Sequence, residues 1–394
     1  MLLLRIYLIF YGVIALSHII IQMVLAHREH KKQIDQHFDE RYQSHCPSVT
    51  VIVPCFNEDP ELLRDCLYSI HQQKYQGSIE AIVVDDCSKN KKDLLPIFKE
   101  AQEQYSFQII FQPCNKGKRE AQKVAFDLAK GEIIVTVDSD TIITRNGIAH
   151  IVRQFKNLDI AAVTGDVRVE NNNKNLLTRL ISYRYWTAFH QERAAQSLYD
   201  VLMCCSGPFS AYRTENIKRV KEQYVQQYFL GKKCTYGDDR HLTNLILEYG
   251  YAVRFDHKAV AYTHVPTTVR QYIKQQIRWN KSFYREMLWT IKFLHRHHYY
   301  MLYDLAMQFI LPFMLLIALI AMVYQTIIFG IEHLIWYFVI LIGIAIIRSS
   351  YGMYRTKDIG FLTFILYGFM HVFLLIPIRI YALCTLDDMK WGTR

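Results

Sequence analysis

Apolar residues run almost without a break from Leu2 to Leu25, interrupted by Arg5, His18 and Gln22. That length suits one spanning helix, which needs about 20 residues. A cleaved leader fits poorly: no small-residue cleavage site precedes His27, and the basic cluster Arg28, Lys31, Lys32 follows the apolar run. The same cluster predicts that the next domain lies in the cytosol. Near the other end, Leu305 to Phe329 and Ile331 to Ile347 are split around Gly330 and followed by Arg348, Arg355 and Lys357, which predicts a helical hairpin with its tip outside. Ile359 to Leu386 is apolar but carries His371, Pro377 and Arg379. It is short for two spans and long for one, so a span plus an interfacial helix and a bent re-entrant pair both fit. His371 and Arg379 are candidates for facing a polar channel; packing of the histidine and snorkelling of the arginine are the alternatives.

Between these segments the pattern changes. Val49 to Val53 reads as a buried strand ending at Pro54, with a helical pattern following through Ile70. Ile79 to Val84, Phe107 to Phe111 and Glu132 to Val137 read as further strands, with helical stretches near Lys92 to Gln104 and Gly117 to Lys130. This alternation predicts an α/β fold with a doubly wound, mostly parallel sheet, flanked by transmembrane and interfacial helices. The expected division is an N-terminal membrane helix (1–26), a catalytic domain (46–265), a segment with interfacial helices (266–300), a C-terminal membrane region (301–386) and a tail (387–394).

Composition agrees with a membrane-bound enzyme: 51% of the 394 residues are hydrophobic and 14% aromatic. The formal net charge of +10 suits anionic partners such as nucleotide diphosphates or acidic headgroups. It is spread along the chain without a basic, aromatic-interleaved module, which argues against nucleic acid. Nine cysteines occur without a CxxC pair and read as free thiols in a reducing compartment.

The candidate chemistry is acidic and sits at strand ends. Asp85-Asp86 and Asp138-Ser139-Asp140 end two of the strands, where ligands of such sheets bind. Asp138-Ser139-Asp140 can hold a hard divalent cation shared with substrate phosphates. The run Asn115-Lys116-Gly117-Lys118-Arg119 opens a helix and suits a diphosphate. No GxxxxGK[ST] or GxGxxG motif is present, so the diphosphate is read as a leaving group. Asp238-Asp239 offers a general base, with Asp239 favoured. Arg278 would balance charge growing on the leaving group, and Trp279, after Gln275 and Gln276, would stack on a sugar ring. Cys204-Cys205 are candidates for lining the sugar site, buried structural thiols being the alternative.

The order Val84-Asp85-Asp86, Asp138-Ser139-Asp140, Gly237-Asp238-Asp239-Arg240 and Gln275-Gln276-Ile277-Arg278-Trp279 resembles the processive family 2 glycosyltransferases. Thr164-Gly165-Asp166-Val167-Arg168, Asn175 to Leu180, Glu192 to Ser197, Cys205-Ser206-Gly207-Pro208, Lys274 to Glu286 and the terminal Trp391-Gly392-Thr393-Arg394 are similar to bacterial class I hyaluronan synthases. The resemblance implies a nucleotide-sugar-binding fold of the glycosyltransferase A type and alternating transfer from UDP-N-acetylglucosamine and UDP-glucuronate. It also implies extrusion of the polysaccharide by a multi-pass plasma-membrane protein, in contact with membrane lipid and active as a monomer. A single-substrate chitin-oligosaccharide synthase of the same family is the alternative. By the same resemblance Asp85 would contact uracil, Lys118 and Arg278 the diphosphate, Asp140 the metal, Mg2+ or Mn2+, and Trp279 the acceptor, with Asp239 as base. Asp86, Asp138, Asp166, Cys205, Ser206, Gly207, Asp238, Gln275 and Gln276 complete the expected substrate site. Arg168 or Arg193 would read the glucuronate carboxylate. In one respect the chain departs from such enzymes: they begin with two spanning helices, and one fits before Val49.

Overall fold

The computed structural model describes residues 2–37 and 45–389; the terminal Trp391-Gly392-Thr393-Arg394 run lies outside them. Ten strands occur: β1 Val49–Cys55, β2 Ile79–Asp85, β3 Gln108–Phe111, β4 Ile133–Val137, β5 Thr141–Ile143, β6 Ile160–Val169, β7 Phe209–Arg213, β8 Tyr228–Phe229, β9 Lys232–Lys233 and β10 Ala252–Thr263. Eight form one sheet in the order β3-β2-β1-β4-β7-β6-β10-β5, and β8 pairs only with β9. The first four strands are parallel, as the alternation predicts. β1 is buried along its whole length, as a strand covered on both faces requires.

Only the first four strands are legible as apolar runs between helices. The others bend the sheet away from a uniformly parallel one. β7 lies antiparallel between β4 and β6, and β5 antiparallel at the edge of β10. The β7 insertion has a direct consequence. Because Phe209 pairs with Val137, the chain just before β7 is delivered to the end of β4, and the Asp138 amide bonds the Pro208 carbonyl at 3.3 Å.

Four helices are long and apolar enough to cross a membrane among the described residues: Ile6–Asp35, Tyr299–Phe329, Leu334–Thr356 and Ile359–Cys384. The N-terminal helix runs unbroken from Leu2 to His37, past the expected boundary at 26. Its extension is held by the catalytic domain: Gln33 Nε2 donates to the Phe255 carbonyl at 2.6 Å, and Ser197 Oγ donates to Glu29 at 2.8 Å. The ambiguous C-terminal stretch is a single helical path of 3-10, α and π turns, without a re-entrant reversal. The helix Val269–Thr290, opened by Thr268, whose hydroxyl caps the Gln271 amide, joins the catalytic domain to the membrane helices.

Candidate active site

Parallel β1, β2 and β4 end along one rim, which is where the acidic pairs gather. At the end of β2 two neighbouring aspartates diverge. Asp85 points into the fold, fully buried, with Oδ2 accepting from the Ser88 amide at 3.3 Å and Oδ1 without a partner among the described residues. Asp86 faces the cavity and accepts from the amides of Lys116 and Gly117 at 2.9 and 2.8 Å, fixing the loop that opens the helix Lys118–Leu128. Burial lifts the Asp86 pKa above the ordinary value, the two amides opposing the rise.

Lys118 bridges two motifs far apart in sequence. Its Nζ lies 2.7 Å from Asp138 Oδ1 and 3.1 Å from Asp238 Oδ2. Burial works against its charge, but the two carboxylates hold it protonated, well above the usual lysine range. The Asp238-Asp239 pair is correspondingly split. Burial raises both, yet Lys118 and Arg119 bring Asp238 below the usual value, while the Asp238 charge pushes Asp239 further up. Two adjacent carboxylates driven apart in this way assign their own roles: one stays anionic beside a cation and the other is poised to exchange a proton. Cys204 donates to Asp239 Oδ2 at 3.7 Å, and burial followed by the Asp239 charge lifts its thiol to about 11, so it is a neutral donor and no nucleophile.

Gly237 sets where this pair sits. It is left-handed, φ 81°, and a Cβ there would collide with Ser282 Oγ and lie 2.8 Å from Ser282 Cβ on the helix Val269–Thr290. The same helix carries Gln275, Gln276, Arg278 and Trp279 into the cavity. Gln275 Oε1 is buried without a partner among the described residues, and Trp279 is 46% exposed, 6.3 Å from the Tyr185 ring. Gly237→Ala is therefore expected to cost about 2–4 kcal/mol by left-handed strain plus overpacking. Thermal denaturation with and without UDP measures this, and a wild-type melting profile would refute the close approach.

These groups line one cavity of about 1930 Å³ that continues past His371, Arg379, Leu315 and Phe338 between the membrane helices. A small-molecule pocket is typically about 300–1,000 Å³, so a nucleotide sugar does not fill it. Residues 47–282, more than half the chain, match the family described as "Glycosyltransferase like family 2". Similar proteins include N-acetylglucosaminyltransferases of Neorhizobium galegae, 36% identical over 348 residues (88% of this chain, 80% of the relative), and of Mesorhizobium japonicum, 37% over 349 residues (88% and 82%). This chain belongs to glycosyltransferase family 2. A mannosyltransferase of Pyrobaculum calidifontis, solved with GDP-Man and Mn2+, shares the fold with a TM-score of 0.57 at 19% identity, covering 90% of this chain and 98% of that one. The expected glycosyltransferase A-like fold is thus the observed one. The relatives' name fits the single-substrate alternative better than hyaluronan alternation.

A divalent cation accompanies the shared fold in that neighbour. In this family 2 enzyme no group of three or more His, Cys, Asp or Glu side chains is placed to hold an ion among the described residues. What is present fits a cation completed by substrate oxygens. Asp140 faces the cavity, 3.4 Å from the hydroxyls of Thr141 and Thr263. The antiparallel β5–β10 pairing brings His264 to the same cavity, and its Nδ1 is buried without a partner among the described residues.

Four expected residues of the enzyme lie off the cavity. Asp85 is one, because its side chain takes the inward face of β2. Cys205 is another: it is fully buried in the core, and its neighbour Cys204 lines the cavity instead. Asp166 is buried against His190 at 3.1 Å and Arg168 at 2.8 Å, and neither Asp166 nor Arg168 reaches the cavity. Ser206 and Gly207 do line it, and a Cβ on Gly207 would lie 3.3 Å from Lys118 Nζ.

Several groups in the wall were not anticipated. Glu58, buried behind the wall, accepts from the wall residue Ser139 through its Oγ at 2.7 Å. Arg193, weighed only as a carboxylate reader, lines the cavity with its guanidinium over Phe189 and donates to the Cys204 carbonyl at 3.3 Å. Glu192 takes a two-pronged bond from Arg184 at 2.9 and 3.0 Å and a third from Arg348 at 2.8 Å. Burial opposes the Glu192 charge, but the arginines hold its pKa down at about 2. Arg184 and a glutamate eight residues on are visible in sequence, but nothing there says that a membrane helix supplies the third partner, Arg348.

Proposed function

We propose that this protein is a membrane-integrated, inverting transferase that builds a polysaccharide from UDP-N-acetylglucosamine and passes the chain through its own membrane helices. The observation that carries the reading is the single cavity joining the acidic rim to the space between the membrane helices. Relatives named N-acetylglucosaminyltransferase support the donor. Asp239 takes the proton of an acceptor hydroxyl, whose oxygen bonds to C1 of the donor as the C1–O bond to the diphosphate breaks. Lys118 and Arg278 receive the charge of the departing UDP. A divalent cation held by Asp140, with His264 beside it, would neutralise the diphosphate when bound; Mg2+ and Mn2+ both suit an oxygen-rich site. Trp279 presents an apolar plate to the acceptor sugar. Asp86, with Asn115 and Lys116, is the polar wall nearest the expected nucleotide, and Asp138 and Asp238 serve by orienting Lys118. The catalytic domain is assigned to the cytosolic side by the basic residues that follow the first helix.

A second reading, alternating addition of glucuronate, is favoured by one observation: Arg193, Arg348 and Arg379 all face the cavity, suiting an anionic product. Supplying purified protein with one labelled donor at a time separates the two. Polymer from UDP-N-acetylglucosamine alone supports the first; strict dependence on both donors and digestion by a hyaluronan lyase support the second. No UDP release with either donor would end both.

A further inference from the structure

Inside the membrane region, one carboxylate gathers amides from three elements. Asp304, fully buried on the helix Tyr299–Phe329, accepts from Gln22 Nε2 at 3.2 Å through Oδ1, and from Gln196 Nε2 at 2.7 Å and Gln308 Nε2 at 2.8 Å through Oδ2. His18 Nε2 lies 4.0 Å from Oδ1. Gln22 belongs to the N-terminal helix, Gln308 to the same helix as Asp304, and Gln196 to the catalytic domain.

Gln196 is the link outward. Its own carbonyl, Oε1, accepts the amide of Met203 at 3.3 Å. Met203 begins the short stretch in which Cys204 meets Asp239 and Ser206 and Gly207 line the cavity. An amide side chain donates at one end and accepts at the other, so fixing its donor end on Asp304 fixes which end faces Met203. On the other side, the Gln308 carbonyl accepts from Arg379 at 3.3 Å, tying the cluster to the last membrane helix.

We propose that Asp304 is a positioning residue for glycosyl transfer: from within the membrane helices, through Gln196, it holds the Met203–Gly207 stretch in register with the Asp239 base. This goes beyond the donor assignment, since it concerns where the acceptor side of the site is held. A purely packing role would leave that stretch in place when hydrogen-bond polarity alone is changed. Geometry at a reacting centre is costly to lose, a displacement of about 1 Å being worth up to about a hundredfold in rate.

Asp304→Asn keeps the volume but replaces one acceptor with a donor facing the glutamine amides. The rearranged pair Asp304→Asn with Gln196→Glu restores complementarity along the link to Met203, because the new carboxylate accepts both from position 304 and from the Met203 amide, while Gln308 can turn its amide to present its oxygen to Asn. The first measurement is independent of any donor: the rate of maleimide labelling at Cys204, read by peptide mass spectrometry in the full-length protein. Asp304→Asn is expected to raise it about fivefold or more by loosening the stretch, with exposed Cys114 unchanged, and the double variant is expected to return it to within about twofold of wild type. If buried Cys66 also opens in the single variant, the double variant decides, protection of both thiols supporting the proposal and continued labelling overturning it. Unchanged Cys204 labelling in Asp304→Asn overturns it as well. With any donor that turns over, the single variant is expected to lose about tenfold in transfer while donor KM stays within about twofold. A loss carried by donor KM instead would overturn the assignment to the acceptor side. Failure of wild type to use UDP-N-acetylglucosamine would strike only the donor reading.

Discussion

Replacing Asp239 with asparagine is expected to lower sugar transfer on the order of a thousandfold, the range removed with a general base, while UDP binding stays within about twofold. Asn keeps the shape and the acceptor for the Arg240 amide, 2.8 Å from Oδ1 in the native protein, so that contact in the first turn of the helix is preserved. Folding disfavours the charged form of Asp239, through burial and the neighbouring Asp238. Its contribution to stability is therefore greatest below the ordinary carboxylate pKa and falls as pH rises through the raised one. Activity runs the other way, because the base must be deprotonated. The acid limb of the wild-type rate profile is expected above the ordinary aspartate range of about 3.9, and the variant is expected to melt no lower than wild type near neutral pH. A comparable loss of UDP affinity, measured by calorimetry in detergent, would reassign Asp239 to binding.

Lys118→Met is expected to hurt differently. It leaves Asp138 and Asp238 facing each other without the cation that reaches both. Breaking a buried pair costs about 3–5 kcal/mol; partial exposure of this lysine reduces the expectation to about 2 kcal/mol. Asp238 loses the main group holding its pKa down, and UDP should bind on the order of tenfold more weakly. Thermal denaturation and UDP titration check the two effects together. Undiminished UDP affinity would detach Lys118 from the diphosphate.

The sequence makes the first half of the sheet plain because parallel strands buried on both faces read as short apolar runs such as Val49 to Val53. The later strands do not read that way: β6 and β10 carry Asp166, Arg254 and Asp256 buried within them, in pairs such as Arg153 with Asp256, and Arg168 exposed but paired with Asp166. Charged residues inside strands look like loops until their partners are known. Motif order placed Asp86, Asp138, Asp140, Asp238, Asp239, Arg278 and Trp279 on one cavity. It did not separate neighbours. Asp85 from Asp86 and Cys205 from Cys204 differ by one position, and at a strand end or in a connecting loop one position decides between core and solvent. The Glu192 and Asp304 clusters were out of reach for another reason: their partners lie 156 and 282 residues away.

The missing side chain at Gly237 lets Ser282 come down onto the turn that carries Asp238 and Asp239. Proton acceptor and aromatic plate are thereby mounted on two helices clamped at this approach and again where His241 and Asn244 meet Glu286, so they travel together however the membrane helices breathe. A transferase built this way can accommodate a longer or bulkier product by altering its exit while its reacting geometry stays untouched.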